Sequence, residues 1–313
     1  DPRVSCVRHV LGGGSFQNHH NRIPDPFRAV PIRSLAVGQA EVPVSWPIGY
    51  PPASMSLLSK HHRRKLLAEP FPSSWEAVLE ADYGTWACLS GPDRARLRDI
   101  IRILVDEKYW EGCSGVEIDD RIRVLISAMA GMLLLDRDHG YYHNVRTILV
   151  YPEAYMQQQE TVGRDGLVHT GSANLGEAWF NGPVIVSWKD ALEAARNPGR
   201  GLNVVYHEFA HTLDMLTGMT NGTPPMRERG HYARWHEVMT NQFSEIRNTY
   251  ERGGRDVIRP YGVTNVAEFF AVTTEVFFDA PAALQTHRAD LYDQFSLFYG
   301  QDPVQRFPSA SHG

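Results

Sequence analysis

Two histidines four residues apart are the strongest chemical signal in the sequence, and they bracket a glutamate in the segment YHEFAH at 206–211. On a helix, this spacing places both imidazoles about one turn apart on one face, so both can bind a single metal ion. Glu208 lies beside that face, where its carboxylate can accept a proton from a water on the metal. Zinc lowers the pKa of such a water from about 16 to about 7, so a carboxylate suffices as the base. We therefore expect one Zn²⁺ ion bound by His207 and His211, with Glu208 as general base.

A third protein ligand is needed, because a catalytic zinc usually takes three and leaves its fourth position to water. The candidates are Glu268 and Glu275, which are seven residues apart and share one helical face. Glu268 lies near the start of a predicted helix and is followed by two phenylalanines, a setting in which a buried carboxylate needs a compensating cation. We expect Glu268 to be the third ligand and Glu275 to support the site or the packing.

Two further interpretations stay open. Asp214, three residues after His211, either accepts the free N–H of a ligand histidine or is an ordinary acid at a helix end. A purely structural zinc is the other alternative, and it would require four protein ligands with no open position.

The chain has 14 histidines, so a pair at this spacing can also arise by chance. Three neighbouring features favour the zinc helix: an apolar lead-in at 204–205, a stop at Gly218, and a later helix that offers a carboxylate. A rival pair, His139 and His143, has the same separation, but it encloses a glycine in a predicted turn and lacks the acid. We therefore assign the metal to the first pair.

The elements that position these residues are predicted from periodicity and capping signals. Residues 1–54 are rich in Pro, Gly, Arg and His, with no helical or strand period, and we expect a disordered N-terminal extension there. The folded domain is predicted at 55–300 and a C-terminal tail at 301–313. One helix is predicted to start at Trp75, with Ser74 as its N-cap, and another to run from Ser187 to about residue 196. Further helices are predicted at about 92–108, 119–135, 203–216, 231–250, 265–278 and 281–299. Strands are predicted at 147–151 and about 184–188, so the fold class is α+β, mainly helical with a small mixed sheet.

Composition excludes several classes of function. The formal net charge of −5 argues against direct nucleic-acid binding, which needs a concentrated positive field. One basic run at 60–65 is interpreted as a solvated helix face. The longest apolar run, at 126–135, is about half of the roughly 20 residues that a membrane helix needs. Three widely separated cysteines suggest neither a disulfide framework nor a thiolate metal site, so we expect a cytoplasmic bacterial protein without membrane contact.

Longer segments of the chain resemble a known family. Residues 55–305 are similar to the Mlc titration factor A peptidases through RRKLLAEPFP, KYWEGCSGVEI, YYHNVRTILVYP, GPVIVSW, NVVYHEFAHTLDM, PYGVTNVAEFFAV and LFYGQDP. The HEFAH and YGVTNVAEFFA elements also resemble the catalytic domain of anthrax lethal factor, a more distant zincin. The resemblance implies a zincin-like peptidase domain.

The resemblance also implies roles for individual residues. His207, His211 and Glu268 correspond to the zinc ligands and Glu208 to the general base. Tyr261 corresponds to a tyrosine that stabilises the oxyanion of the tetrahedral intermediate, and a phenol directed at developing charge can do so. The strand at 182–188 resembles the zincin edge strand, which binds an extended peptide backbone.

For function, the resemblance implies an aminopeptidase-type enzyme that also binds the Mlc transcriptional repressor and so acts in regulation of the glucose phosphotransferase system. The alternative is a regulatory protein that sequesters the repressor, with peptidase activity secondary. Two departures from the family are visible: His143 stands where the family has proline, and residues 1–54 have no counterpart. We therefore expect Met55 to be the native start.

Overall fold

The computed structural model describes residues 55–306 apart from short gaps at 138–139, 141, 154–159, 163–167 and 171–181. The predicted extension at 1–54 and residues 307–313 lie outside the described residues. The helices are α1 (Met55–Ala68), α2 (Ser73–Asp82), α3 (Gly91–Glu107), α4 (Asp120–Met132), α5 (Trp188–Arg196), α6 (Val204–Asp214), α7 (His231–Glu251), α8 (Val266–Asp279), α9 (Pro281–His287), α10 (Ala289–Tyr299) and α11 (Pro303–Arg306). The strands are β1 (Tyr109–Gly112), β2 (Thr147–Tyr151), β3 (Glu160–Val162), β4 (Val168–Thr170) and β5 (Val184–Ser187).

The main sheet has three strands in the order β1-β2-β5, and all of them are parallel. The prediction of a mixed sheet is therefore wrong for the described strands. Parallel neighbours need long crossover connections, and here α4 lies between β1 and β2 in sequence, while β3 and β4 lie between β2 and β5. The antiparallel pair β3-β4 is a separate ladder.

Helix α8 is buried along its length. Every residue from Ala267 to Asp279 is buried, as expected of a helix with apolar residues on all sides. Three acids on it, Glu268, Glu275 and Asp279, therefore need polar or charged partners. In the same order, they contact the histidines of α6, the backbone N–H of Asn203 and the backbone N–H of Gly201. Because the partners descend along the chain as the acids ascend, α6 and α8 run antiparallel.

An aromatic cluster fixes the other side of α8. Trp235 of α7 lies 6.0 Å from Phe270, 5.2 Å from Phe295 and 5.6 Å from Phe298, measured between ring centroids. Aromatic pairs at such separations stabilise a core beyond the area they bury. The helix that carries Glu268 is thus packed between α6 on one side and α7 and α10 on the other.

Most predicted helices are present with boundaries shifted by one to three residues, and three differences stand out. The first predicted helix starts at Ser73, so the expected N-cap Ser74 lies inside it. The predicted helix at 281–299 is two helices, because Arg288 leaves helical geometry with φ −143° and ψ 56°. Residues 301–306, assigned to the tail, pack on the domain: Gln301 donates to the Met132 carbonyl, and Arg306 pairs with Asp93.

Of the helices in the described part of the chain, none combines the length and the apolar character needed to cross a bilayer.

Candidate metal centre

An asparagine N-cap starts each of the two helices that carry the predicted ligands. The side chain of Asn203 accepts hydrogen bonds of 3.1 and 3.0 Å from two backbone N–H groups in the first turn of α6. Asn265 does the same at the start of α8, with two bonds of 3.0 Å, one of them from the N–H of Glu268. Such caps satisfy backbone donors that have no partner within the helix. The position of His207 and of Glu268 is therefore fixed within one turn of a well-defined helix start.

The three predicted ligands converge on one point. His207 Nε2 lies 3.2 Å from His211 Nε2 and 3.1 Å from Glu268 Oε2, and His211 Nε2 lies 3.5 Å from Glu268 Oε1. Tetrahedral zinc with bonds of about 2.0–2.1 Å separates its ligand atoms by about 3.3 Å. The spacing of these atoms matches such a site, and His207, His211 and Glu268 form a group of possible metal ligands in the described chain.

The protonation of His207 supports a cation at this point. Its Nδ1 lies 2.7 Å from Glu275 Oε1, and since an ionised carboxylate only accepts hydrogen bonds, Nδ1 carries the hydrogen. In the neutral ring, the lone pair of Nε2 then faces Glu268 Oε2, which accepts no hydrogen bond from the described residues although Glu268 is only 4% exposed. Two buried acceptors cannot face each other without a positive charge, so either a proton on Nε2 or a metal ion has to lie between them. The donor set thus fits a divalent metal.

The charges around the site favour that cation. Burial opposes a charge on His207, but Glu268 and Glu275 together raise its pKa to about 10. Burial also opposes the ionisation of Glu268, and the adjacent His207 and His211 nevertheless hold its pKa far below the usual range. The site therefore stabilises an anionic Glu268 and a positive charge next to it.

Glu208 and Tyr261 lie beside the ligands. Burial, and after it the nearby carboxylates, raise the pKa of Glu208 above its usual value, which the histidines partly offset. A base with a raised pKa accepts a proton more readily near neutral pH. Tyr261 lies in a 3₁₀ turn at Pro260–Val263, with its ring centroid 5.9 Å from that of His207. Partial burial raises the pKa of Tyr261, so its phenol remains a hydrogen-bond donor.

A cleft of about 430 Å³ opens onto these groups. Helix α5 and the loop that follows it line one part of the cleft, and the start of α6, Arg259, Tyr261 and Glu275 line the other. The predicted site residues His207, Glu208 and Tyr261 all line it. The predicted base and one predicted ligand are thus accessible to a molecule in the cleft.

Asp214 does not hydrogen-bond to a histidine of the described chain, which was one of its two possible roles, but binds the backbone of a loop. Its buried carboxylate accepts from the backbone N–H groups of Gly222 and Thr223, at 2.8 and 2.9 Å, and so anchors the loop after α6. His211 Nδ1 is buried without a hydrogen-bond partner among the described residues. The acid that contacts a predicted ligand histidine is Glu275, which lies 2.7 Å from His207 Nδ1.

The same loop approaches the start of α8. Gly222 has φ +69°, and a Cβ built on it would lie 2.5 Å from the carbonyl oxygen of Val266. Trp235 donates to the carbonyl of Gly222 at 3.0 Å. Asp214 and Gly222 therefore connect the C-terminal end of α6 to the helix that carries Glu268.

Arg259 was not predicted from the sequence, and it donates two hydrogen bonds to Glu275. The available signal was the need of a buried carboxylate for a cation. The rival pair is not tested, because His139 lies outside the described residues.

Comparisons with known proteins show which family the chain is related to. An uncharacterized protein of Synechocystis sp., slr2042, is 34% identical over 244 residues, which cover 77% of this chain and 88% of the relative. Proteins called Mlc titration factor A, from Yersinia pestis (strain Pestoides F) and Yersinia pseudotuberculosis serotype I, are 30% identical over 226 residues, covering 70% of this chain and 82% of each relative. Residues 58–300 match the family described as glucose-regulated metallopeptidase M90. Because this match covers more than half of the chain, the chain belongs to the glucose-regulated metallopeptidase M90 family.

Proposed function

We propose that this chain is a zinc-dependent peptidase that hydrolyses peptide bonds at the centre formed by His207, His211 and Glu268. The observation that carries the proposal is the convergence of two imidazole nitrogens and the Glu268 carboxylate, at separations of 3.1, 3.2 and 3.5 Å, beside the Glu208 carboxylate in an open cleft. Three protein ligands leave a coordination position for water, as catalytic zinc requires. A structural zinc would need a fourth protein ligand, and the group in the described residues has three members.

The side chains around the ligands divide the chemistry between them. When bound, zinc supplies a Lewis acid that acidifies water and polarises a carbonyl oxygen. Glu208 accepts the proton of the attacking water and delivers it to the leaving amine. Tyr261 donates a hydrogen bond to the oxyanion that develops on the former carbonyl. Glu275 holds Nδ1 of His207, so that Nε2 stays directed at the metal position.

A peptide would be held by the sheet. Strand β5 pairs with β2 along one edge, and no described strand pairs with its other edge. An extended substrate can add to such an edge through main-chain hydrogen bonds, which do not depend on its sequence. Strand β5 also leads directly into α5, which lines the cleft, so this edge and the cleft are adjacent in the chain.

The end preference that we propose is aminopeptidase-type, which rests on the family resemblance. An exposed carboxylate in the cleft, Asp190, supports it, because a free N-terminus carries a positive charge. Glu193 lies nearby but is paired with Arg200 at 2.7 Å. Comparing an aminoacyl chromogenic substrate with its N-acetylated form tests this preference directly. Equal turnover of both forms would rule it out.

The peptidase proposal is tested with Glu208→Gln, which keeps the size of the side chain and removes the base. We expect turnover to fall by about 10²–10⁴-fold, with one zinc per chain retained in metal analysis. Glu193→Gln, in the same cleft but on an exposed ion pair, should leave turnover unchanged. His207→Ala should lose the zinc. A wild-type protein without stoichiometric zinc, or a Glu208→Gln variant with normal turnover, would contradict the proposal.

A second function, binding of the Mlc-type repressor, is favoured by the similarity to the Yersinia proteins called Mlc titration factor A. In its strongest form this alternative makes sequestration of the repressor the main role and peptidase activity secondary. Calorimetric titration of purified repressor with Glu208→Gln separates the two roles. If Glu208→Gln binds the repressor but has no turnover, the two functions are independent. If neither the wild type nor Glu208→Gln gives a heat of binding, the repressor-binding function is ruled out.

A further inference from the structure

Glu275 is the centre of a hydrogen-bonded network behind the metal site. Its Oε1 lies 2.7 Å from His207 Nδ1 and 2.6 Å from a guanidinium nitrogen of Arg259. Its Oε2 accepts 3.0 Å from the other guanidinium nitrogen and 2.8 Å from the backbone N–H of Asn203. The carboxylate therefore contacts a metal ligand, the residue that caps α6, and Arg259 at the same time.

Arg259 provides the positive charge in this network. Glu275 is only 2% exposed in its side chain, whereas Arg259 is 31% exposed and reaches in from the wall of the cleft. A buried carboxylate is stable only when it is paired and hydrogen-bonded, and the paired, forked contact of an arginine also fixes its orientation. Without Arg259, Glu275 could turn away from His207, and the imidazole would lose the contact that holds its hydrogen on Nδ1.

The same arginine borders Tyr261. It precedes the 3₁₀ turn at Pro260–Val263, and its guanidinium carbon lies 5.8 Å from the centroid of the Tyr261 ring, within the range of a cation–π contact. The Tyr261 ring is in turn 5.9 Å from the ring of His207. Arg259 thus contacts both Glu275, which holds the predicted ligand His207, and Tyr261, the predicted oxyanion donor.

We propose that Arg259 is a positioning residue that holds His207 in its metal-binding orientation through Glu275 and keeps Tyr261 in register with the metal. The expected effect of Arg259 on zinc affinity requires only that His207, His211 and Glu268 bind the metal. Its effect on turnover rests on the proposed peptidase function. Metal affinity and catalysis therefore have to be measured separately.

The experiment compares Arg259→Gln and Arg259→Lys with the wild type and with Arg200→Gln, a matched control whose arginine lines the same cleft but pairs with exposed Glu193. Zinc affinity is measured by competition with a chromogenic chelator, and kcat and KM on a chromogenic peptide. We expect Arg259→Gln to weaken zinc binding about 10–100-fold and to lower kcat more than it changes KM. Arg259→Lys should lie between it and the wild type, because lysine keeps the charge but loses the forked contact.

Wild-type zinc affinity in Arg259→Gln, or an equal loss in Arg200→Gln, would overturn the proposal. If circular dichroism shows that metal-free Arg259→Gln is unfolded, the lysine variant decides, and unchanged affinity there would overturn it equally. If the variants rank as expected in zinc affinity while the wild type hydrolyses no peptide, the peptidase function fails and the role of Arg259 in metal binding stands.

Discussion

Gly222 offers a sharp test of how the two ligand helices are held together. In Gly222→Ala, the new methyl group would lie 2.5 Å from the carbonyl oxygen of Val266, in the first turn of α8 and two residues before Glu268. A Cβ atom essentially never approaches closer than 3.0 Å, so the carbonyl must move by at least about half an ångström. Functional constellations tolerate displacements of about 0.5 Å. We therefore expect both stability and metal binding to suffer.

The magnitude can be separated into two parts with a matched glycine. Gly218 also has positive φ, +84°, but a Cβ there meets nothing within 4 Å. Gly218→Ala should therefore cost only the backbone strain, about 1–2 kcal/mol in the free energy of unfolding. Gly222→Ala should cost this plus the overpacking, typically about 1–3 kcal/mol. The assays are urea unfolding of the metal-free proteins and zinc competition. Equal stability and equal zinc affinity of the two variants would refute the argument that this approach positions Glu268.

Other predictions concern the predicted oxyanion donor, a helix cap, a pair of ion pairs and removal of the metal. Tyr261→Phe should lower kcat by about 10²–10³-fold while the zinc content stays unchanged. Steady-state kinetics and metal analysis test this, and a normal kcat would contradict the role of the phenol. Asn265→Ala should cost about 0.5–2 kcal/mol of unfolding free energy, and unchanged urea midpoints would contradict the cap. Hydrogen bonds from Arg121, opposed by burial and helped by Arg196, hold the pKa of Asp82 below its ordinary 3.8. The ionised Asp82 therefore contributes to the free energy of unfolding above pH 3.8, and this contribution disappears as the pH falls through the pKa of the folded state. The difference in unfolding free energy between the wild type and Asp82→Asn should accordingly shrink in acid, and a difference that does not change with pH would refute this. Chelation should lower the melting temperature, since saturating zinc at about 1,000 times its Kd adds about 4 kcal/mol.

The sequence was sufficient to predict what depends on local pattern. Helices α6 and α8 are rich in apolar residues and each follows an asparagine, and their extents were predicted within two residues. The spacing of His207 and His211 fixes their common face by helix geometry alone. Glu268 was preferred over Glu275 because of its position near the helix start, and the structure places Glu268 with the histidines.

Features that depend on distant partners were not predictable in this way. Strand β1 has four residues, and its alternation is between exposed and half-buried positions, a weak signal. The parallel arrangement depends on which strands pair, which no local pattern states. The contact of Arg259 with Glu275 joins a loop to a buried helix, and the anchoring of a loop by Asp214 required the backbone of Gly222 to be close.

The antiparallel contact of α6 with α8 has a consequence for how the protein acquires its metal. Three acids spaced along α8 meet three successive partners on α6 and its approach, so a slide of one helical turn, about 5.4 Å, would mismatch all of them. Two of these contacts, Glu275 with Asn203 and Asp279 with Gly201, involve no metal ligand atom. These two contacts can therefore set the alignment of α6 against α8 before a metal ion binds.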